Sequence, residues 1–279
     1  MESHVFERLP SEATRLSQDR YLRLDCSLLE GDAIVQVAVM FLSMAELFHE
    51  PLWAKWFQSV EGLVPYASLR GQDCQGIAGN LTGFVEDNIF KGFEIENRIQ
   101  ADWGSVQLID AARNLLTASL ADPLNQKMLL LSESDIPLFA PQLVYNQLMS
   151  EETSRLNSCS LPEGALRRWT DEMAVPGLME ANAFRKSSQW IALTRKHAGL
   201  VVTDTAVLDK FREYCFLDER PDPMWRDCYA DEHYIPTVIA AAQLGHETDC
   251  VGQLTSVIWN SDGDAHPKSY QSEDISQDL

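Results

Sequence analysis

Long apolar runs, basic side chains and phosphate-binding glycine motifs are all scarce in this 279-residue chain. No stretch of 18 consecutive apolar residues occurs, so we expect no membrane-spanning helix within it. Residues 1–20 are polar and of mixed charge, and they contain neither the apolar segment nor the small-residue cleavage site of a signal peptide. We therefore expect this chain to hold neither a membrane anchor nor a signal peptide.

Positive charge is also in short supply. The chain has 22 lysine and arginine residues against 42 aspartate and glutamate residues, which leaves a formal net charge of −20. A nucleic-acid backbone or an anionic membrane surface would be repelled overall, so neither is an expected partner. An anionic small molecule could bind only where basic side chains or a helix N-terminus create a local positive site.

Motifs of several common enzyme classes are absent. The sequence has no G-x-S-x-G of a serine hydrolase and no G-x-x-x-x-G-K phosphate loop. None of the six cysteines forms a C-x-x-C pair, which argues against zinc knuckles and thioredoxin-like redox sites. Their even number fits disulfides in an oxidising compartment and fits reduced thiols equally well.

Two clusters imitate metal sites. Asp262-Gly263-Asp264 resembles the D-x-D that holds a divalent cation, but the same sequence after a strand is also an ordinary turn. A zinc set could be drawn from Cys215, Cys228, His233 and His246, but its cysteines lack the close spacing of zinc ligands. We predict no metal site and no cofactor.

Hydrophobic patterning predicts alternating strands and helices, hence an α/β fold with a largely parallel sheet. Residues 1–32 are expected to be a disordered lead-in, and residues 150–182 an irregular surface excursion. Strands are predicted at residues 34–42, 128–131, 189–193 and 254–259. Helices are predicted from Pro51, over 106–120, from the N-cap Thr194 to 202, over 206–214, and from the N-cap Asp231 to 244.

Two polar clusters lie where α/β proteins bind ligands. Residues 132–135 (SESD) directly follow a predicted strand, and residues 231–234 (DEHY) begin a predicted helix. Ligands in open α/β sheets bind at the carboxyl ends of the strands. The alternative interpretations are a solvated turn for the first cluster and simple helix capping for the second.

Several segments together resemble the plant-type branch of the Core-2/I-branching β1,6-N-acetylglucosaminyltransferase family. They are Trp103-Gly104 before a helix, DPLNQKMLLLSESDIPLF, FRKSSQWIALTRKHAGLVV, CYADEHYIPT and LTSVIWNSDGDAHPKSY. The order and rough spacing of these segments hold from about residue 34 to residue 270. SQW followed by DEHY is the most specific part of the resemblance.

The resemblance implies a GT-A-like nucleotide-sugar-binding fold over residues 33–270, followed by a tail over 271–279. It implies an inverting, metal-independent transfer of N-acetylglucosamine, or another sugar, from a UDP-sugar donor to a glycan acceptor. It also implies a Golgi membrane setting with the domain on the lumenal side. Lumenal residence favours disulfides, and Cys215 with Cys228 is the expected pair.

The resemblance also assigns roles to individual residues. Glu232 matches the position of the family's catalytic base, and Asp231 would cap its helix and fix its geometry. The remaining expected substrate-binding residues are Glu133, Ser134, Asp135, Ser188, Gln189 and Trp190. Trp190 suits stacking on a sugar ring, although a core tryptophan on a strand is an equal alternative.

Two departures from the family pattern concern the donor. The family's diphosphate-binding basic side chains follow the "HP" strand, whereas this chain has no lysine or arginine after Lys268. The segment VPYASLRGQD also lacks the strand end that family members use near the nucleotide. We therefore expect either a C-terminally incomplete chain with little activity of its own, or a catalytically degenerate relative that binds glycans.

Overall fold

The computed structural model describes residues 35–43, 47–59, 77–78, 95, 99–159, 165–215, 228–259, 267–268 and 270. The predicted lead-in at 1–32, the VPYASLRGQD segment, Asp262, Asp264 and the tail at 271–279 lie outside these residues.

A four-stranded sheet forms the centre of the molecule. Its strands are β1 (Gln36–Leu42), β2 (Ile77–Ala78), β3 (Asn125–Ser132) and β4 (Ala192–Thr194), in the spatial order β2-β1-β3-β4. Strand β1 pairs in parallel with both β2 and β3, and β3 pairs antiparallel with β4. The predicted α/β fold with a mostly parallel sheet is confirmed.

The apolar sequences of the two long strands, β1 and β3, explain why these strands lie at the buried centre of the sheet. Six of the seven residues of β1 (QVAVMFL) and seven of the eight residues of β3 (NQKMLLLS) are buried. A strand buried on both faces carries apolar residues in succession instead of alternating with polar ones. Both strands were predicted on this basis, with differences of a few residues at their ends.

Six helices are described around the sheet. They are α1 (Glu50–Gln58), α2 (Val106–Leu120), α3 (Pro141–Ser150), α4 (Arg195–Thr203), α5 (Ala206–Tyr214) and α6 (Ala230–Ala241). The apolar faces of α2, α4, α5 and α6 share one core cluster with β1, β3 and β4. Thr194 caps α4 as predicted, because its hydroxyl accepts from the backbone N–H of His197. Among these helices none is long and apolar enough to cross a membrane.

A polar network joins four of these helices, α2, α4, α5 and α6. Arg113 of α2 donates to the carbonyl oxygens of Val201 and Val202 and to the hydroxyl of Tyr234 in α6. The Tyr234 hydroxyl donates in turn to Asp204, at 2.9 Å. Asp204 also accepts from two backbone N–H groups at the start of α5, so the network fixes the helices relative to one another.

Three predicted elements need correction. The region 254–259 forms no strand; Trp259 makes only an isolated bridge to Pro267, because no neighbouring strand pairs with the segment. The strand predicted at 189–193 is shorter and shifted to Ala192–Thr194. Helix α6 begins at Ala230 after the N-cap Tyr229, so Asp231 lies inside the first turn and is not the cap.

Two disulfides are present among the described cysteines. Cys215 is linked to Cys228, as predicted, with their α-carbons 5.0 Å apart. Cys159 is linked to Cys250, a pair that was not predicted. The first closes the segment between α5 and α6, and the second ties the excursion after α3 to the loop after α6.

Candidate active site

The antiparallel direction of β4 brings distant segments of the chain to one edge of the sheet. The N–H of Leu130 in β3 donates to the carbonyl of Ile191 at 2.9 Å, so residues that precede β4 run beside residues that follow β3. The N–H of Ser187 donates to the carbonyl of Glu232 at 2.9 Å. Segments 132–135, 184–191 and the start of α6 are thereby linked.

Glu232 occupies the first turn of α6 and carries two ion pairs. Its Oε1 accepts from Lys186 Nζ at 2.9 Å, and its Oε2 accepts from an Arg168 nitrogen at 3.2 Å. The side chain is 29% exposed, so it is held in place without being sealed from solvent. A carboxylate is also favoured here because the N-terminus of a helix carries partial positive charge.

His233 fixes the position of Arg168. Burial lowers the pKa of His233 to about 3, so its ring is neutral under physiological conditions. Its Nδ1 must donate, because its partner there is the carbonyl oxygen of Arg185. The other ring nitrogen, Nε2, therefore accepts from Arg168 at 3.1 Å. Phe184 stacks on the imidazole with ring centroids 4.5 Å apart. The stacked ring of His233, through its hydrogen bond with Arg168, holds the guanidinium beside Glu232.

Asp231, next in the chain to Glu232, lies in a different environment. Burial, followed by the charge of Glu232, raises the pKa of its carboxyl to about 6. Its Oδ1 is buried and has no hydrogen-bond partner within the described part of the chain. The expected capping role is wrong, but the residue remains adjacent to the base candidate.

The turn after β3 is built from its own polar residues. Asp135 Oδ2 accepts from the backbone N–H of Ser132 at 2.8 Å, and the Asp135 carbonyl accepts from the Trp53 indole at 2.9 Å. The hydroxyls of Ser132 and Ser134 are 2.7 Å apart. Burial raises the pKa of both Glu133 and Asp135. Asp135 thus stabilises the turn by accepting from the backbone of Ser132, and the Ser134 backbone N–H donates to the Ser132 hydroxyl.

The SQW segment lies beside this turn and beside Glu232. Ser188 is exposed, and its hydroxyl accepts from the backbone N–H of Trp190 at 3.2 Å. Gln189 and Trp190 are half-buried, and Trp190 packs against the main core cluster while part of its ring reaches solvent. Trp190 precedes β4 and is not part of the strand.

No cluster of three or more histidine, cysteine, aspartate or glutamate residues suited to a metal ion occurs within the described ranges. The imagined zinc set fails on chemistry, because Cys215 and Cys228 have no free thiolate once they are joined in a disulfide. Asp262 and Asp264 lie outside the described residues.

Sequence reasoning missed the two cations that bind Glu232. Arg168 belongs to a short 3₁₀ turn (Ala165–Arg168) inside the excursion that was predicted to be irregular. Lys186 lies in the motif segment, but nothing in its spacing indicates its partner. The only available signal was electrostatic: in a chain of net charge −20, basic residues near a proposed anion site are informative.

Comparison with known proteins bears on this site. The sequence model of the Core-2/I-branching enzyme family matches residues 79–279, which include Glu232 and both of its cation partners. The chain is also 34% identical over 178 residues to Glycosyltransferase BC10 of Oryza sativa subsp. japonica. That match covers 58% of this chain and 43% of the rice protein, so the chain spans less than half the length of this relative.

Proposed function

Because the chain belongs to the Core-2/I-branching enzyme family, we propose that it transfers a sugar, N-acetylglucosamine in the first instance, from a UDP-sugar to a glycan acceptor with inversion. In this reaction an acceptor hydroxyl oxygen forms a bond to the anomeric carbon. The bond between that carbon and the diphosphate breaks, and UDP leaves with the electron pair. The hydroxyl proton passes to a carboxylate of the protein. The printed name of the rice relative supports glycosyl transfer.

Glu232 is the proposed general base, and its geometry is the observation that carries the proposal. A base must be ionised and within hydrogen-bond reach of a bound hydroxyl. Lys186 and Arg168 hold the carboxylate in a fixed position, while the 29% exposure leaves it reachable. Each oxygen of a carboxylate has two lone pairs, so each retains one for an acceptor hydroxyl.

Lys186 and Arg168 have a second use in this proposal. The donor is an anion, and the chain as a whole is strongly acidic. Two fixed cations beside Glu232 lower the local electrostatic cost of bringing the donor to the base. Fixed cations can stabilise the negative charge of the donor diphosphate without a metal ion. We propose metal-independent transfer on that ground.

We place this reaction in the lumen of the Golgi. Two disulfides in one domain support residence in an oxidising compartment, because cytosolic reductants keep most thiols reduced.

One observation favours a second candidate, a glycan-binding relative without transferase activity. Both carboxylate oxygens of Glu232 are already engaged by cations. The two cations therefore compete with an acceptor hydroxyl for the same carboxylate oxygens. In this alternative Glu232 binds an acceptor hydroxyl but takes no proton from it.

The substitution Glu232→Gln separates the two candidates. It keeps the shape of the side chain and removes its ability to take a proton. The rate of transfer from UDP-N-acetylglucosamine to a panel of β-linked oligosaccharides should fall about 10²–10⁴-fold. This rate is measured as the release of UDP. UDP affinity, measured by calorimetry, should change little. The same assay with EDTA should give unchanged turnover.

Glu247→Gln is the matched control. Glu247 is also a partly exposed glutamate paired with a lysine, Lys196, but it lies after α6 in a different region. This variant should retain full turnover. Near-normal turnover of Glu232→Gln would eliminate Glu232 as the base. Glycan binding with no turnover in the unmodified protein would favour the binding-only candidate.

A further inference from the structure

An exposed tryptophan lies close to the proposed base. Half of the Trp103 side chain is accessible to solvent. Its ring meets that of Tyr229, the residue before α6, edge to face with centroids 4.9 Å apart. An exposed tryptophan beside a second aromatic ring offers a flat apolar surface on which a ligand could stack.

The backbone holds this aromatic pair in place. Gly104 adopts φ +70°, a conformation that favours glycine, and turns the chain directly after Trp103. The Gly104 carbonyl then accepts from the N–H of Ala230, the first residue of α6. Trp103 and Tyr229 are therefore attached to the same helix start that carries Glu232. A preorganised ring loses little freedom when a ligand stacks on it.

Arg168 connects the aromatic pair with the base. Its guanidinium lies over the Tyr229 ring, 4.6 Å from the centroid, and the same guanidinium donates to Glu232. Tyr229 and Glu232 thus both contact the side chain of Arg168, and Trp103 contacts the same Tyr229 ring. A linear glycan with one hydroxyl at Glu232 would pass over this pair with a neighbouring sugar unit.

The chemistry of the surface suits a sugar. A pyranose presents an apolar C–H face and a rim of hydroxyls, so it matches an aromatic ring flanked by carboxylates. Asp102, exposed beside Trp103, and Glu232 supply those acceptors. An apolar peptide would offer these two carboxylates no hydroxyl donors while it displaced the water around them, which is unfavourable on binding.

We propose that Trp103 and Tyr229 form a stacking subsite for a sugar unit of the acceptor, next to the unit that reacts at Glu232. The proposal rests on the proposed function for its choice of ligand. It predicts that a disaccharide acceptor binds more tightly than a monosaccharide, because the second sugar unit adds the contact with the aromatic pair.

The test uses binding as well as turnover. Three trisaccharides serve as probes of glycan binding: chitotriose, cellotriose and a β1,3-linked galactose trisaccharide. Their binding is measured by tryptophan fluorescence and by calorimetry. At least one should bind to the Glu232→Gln protein with a change in fluorescence. Trp103→Ala in that background should weaken binding about tenfold, and Trp103→Phe should restore most of it. In the active protein, Trp103→Ala should raise the acceptor KM by a similar factor with kcat and donor KM unchanged.

Trp259→Phe is the matched control, since Trp259 is also an exposed tryptophan but belongs to the segment before residue 260. It should leave glycan affinity unchanged. Equal affinity of the Trp103→Ala and unmodified proteins for every probe, or no binding by any probe, would overturn the subsite. Full turnover of Glu232→Gln together with weakened glycan binding of Trp103→Ala would remove the assigned base and leave the subsite standing.

Discussion

Asp231 and Glu232 are neighbours in the chain, yet their carboxyl groups have opposite surroundings. Glu232 has two cationic partners, whereas Asp231 is largely buried and one of its oxygens has none among the described residues. Successive helix positions point about 100° apart, so one of the two faces the cations and the other faces the interior. The motif DEHY therefore places one accessible and one buried carboxyl at the start of α6.

The buried carboxyl of Asp231 should lower stability as pH rises. Its pKa is raised from 3.8 to about 6, so the folded protein holds this proton more tightly than the unfolded chain does. Ionisation between these two values therefore favours unfolding. Asp231→Asn should stabilise the protein by about 2–3 kcal/mol above pH 6. The gain should shrink as pH falls and vanish below about pH 4.

Thermal unfolding from pH 4 to pH 8 measures this difference. Asp209→Asn is the control, because Asp209 is an exposed aspartate of α5 and its substitution should change the free energy of unfolding little. A stability gain of Asp231→Asn that stayed constant across the range would contradict a titrating buried carboxyl.

At the scale of elements, α6 depends on one tyrosine for its polar connection to α2 and α5. Tyr234→Phe removes both the donor to Asp204 and the acceptor for Arg113. We expect a loss of about 1–3 kcal/mol in the free energy of unfolding, because two buried polar groups lose a partner. Chemical denaturation measures the loss.

Tyr214→Phe, at the end of α5, is the control for Tyr234→Phe. Tyr214 is only partly buried, so loss of its hydroxyl should have little effect. A change for Tyr234→Phe as small as that of Tyr214→Phe would mean that the network does not stabilise the helix packing.

The elements that sequence patterns predicted are those with local signals. Strands β1 and β3 are long apolar runs, and α2 has a regular apolar stripe, so each carries its own evidence. The stretch 254–259 has similar β-forming residues but exposes Val257, Ile258 and Trp259 and pairs with no strand. Strand formation requires a partner, and a single sequence does not reveal one.

The residues of the candidate site also divide into those that a local sequence pattern predicts and those that it does not. Glu232 and the SQW segment were predicted because the sequence contains the motifs SQW and DEHY of the family. The contact of Arg168 with Glu232 joins residues 64 positions apart, and the Cys159–Cys250 disulfide joins residues 91 positions apart. Such pairs depend on how the excursion folds back over the sheet, which no local pattern encodes.

At the scale of the whole molecule, the two disulfides differ in exposure. Cys250 is exposed and Cys159 is half-buried, whereas Cys215 and Cys228 are completely buried. A mild reductant should therefore open Cys159–Cys250 first in the folded protein and leave Cys215–Cys228 intact until unfolding. Timed alkylation followed by mass spectrometry measures the order.

The alkylation experiment has an internal control. In a denaturant both bonds should be reduced at similar rates, because exposure no longer separates them. Reduction of Cys215–Cys228 first under native conditions would contradict the burial seen in the structure.

The chain between Arg155 and β4 leaves and rejoins the sheet at adjacent points. Arg155 pairs with Ala192, the first residue of β4, and the residues between these two anchors include Arg168 and Lys186. The chain between these anchors can gain or lose residues without shifting the register of either strand. In the family's evolution, this closed loop is therefore where insertions can alter the surroundings of Glu232 while the sheet is preserved. We expect relatives with different acceptors to differ most in length between these two anchors.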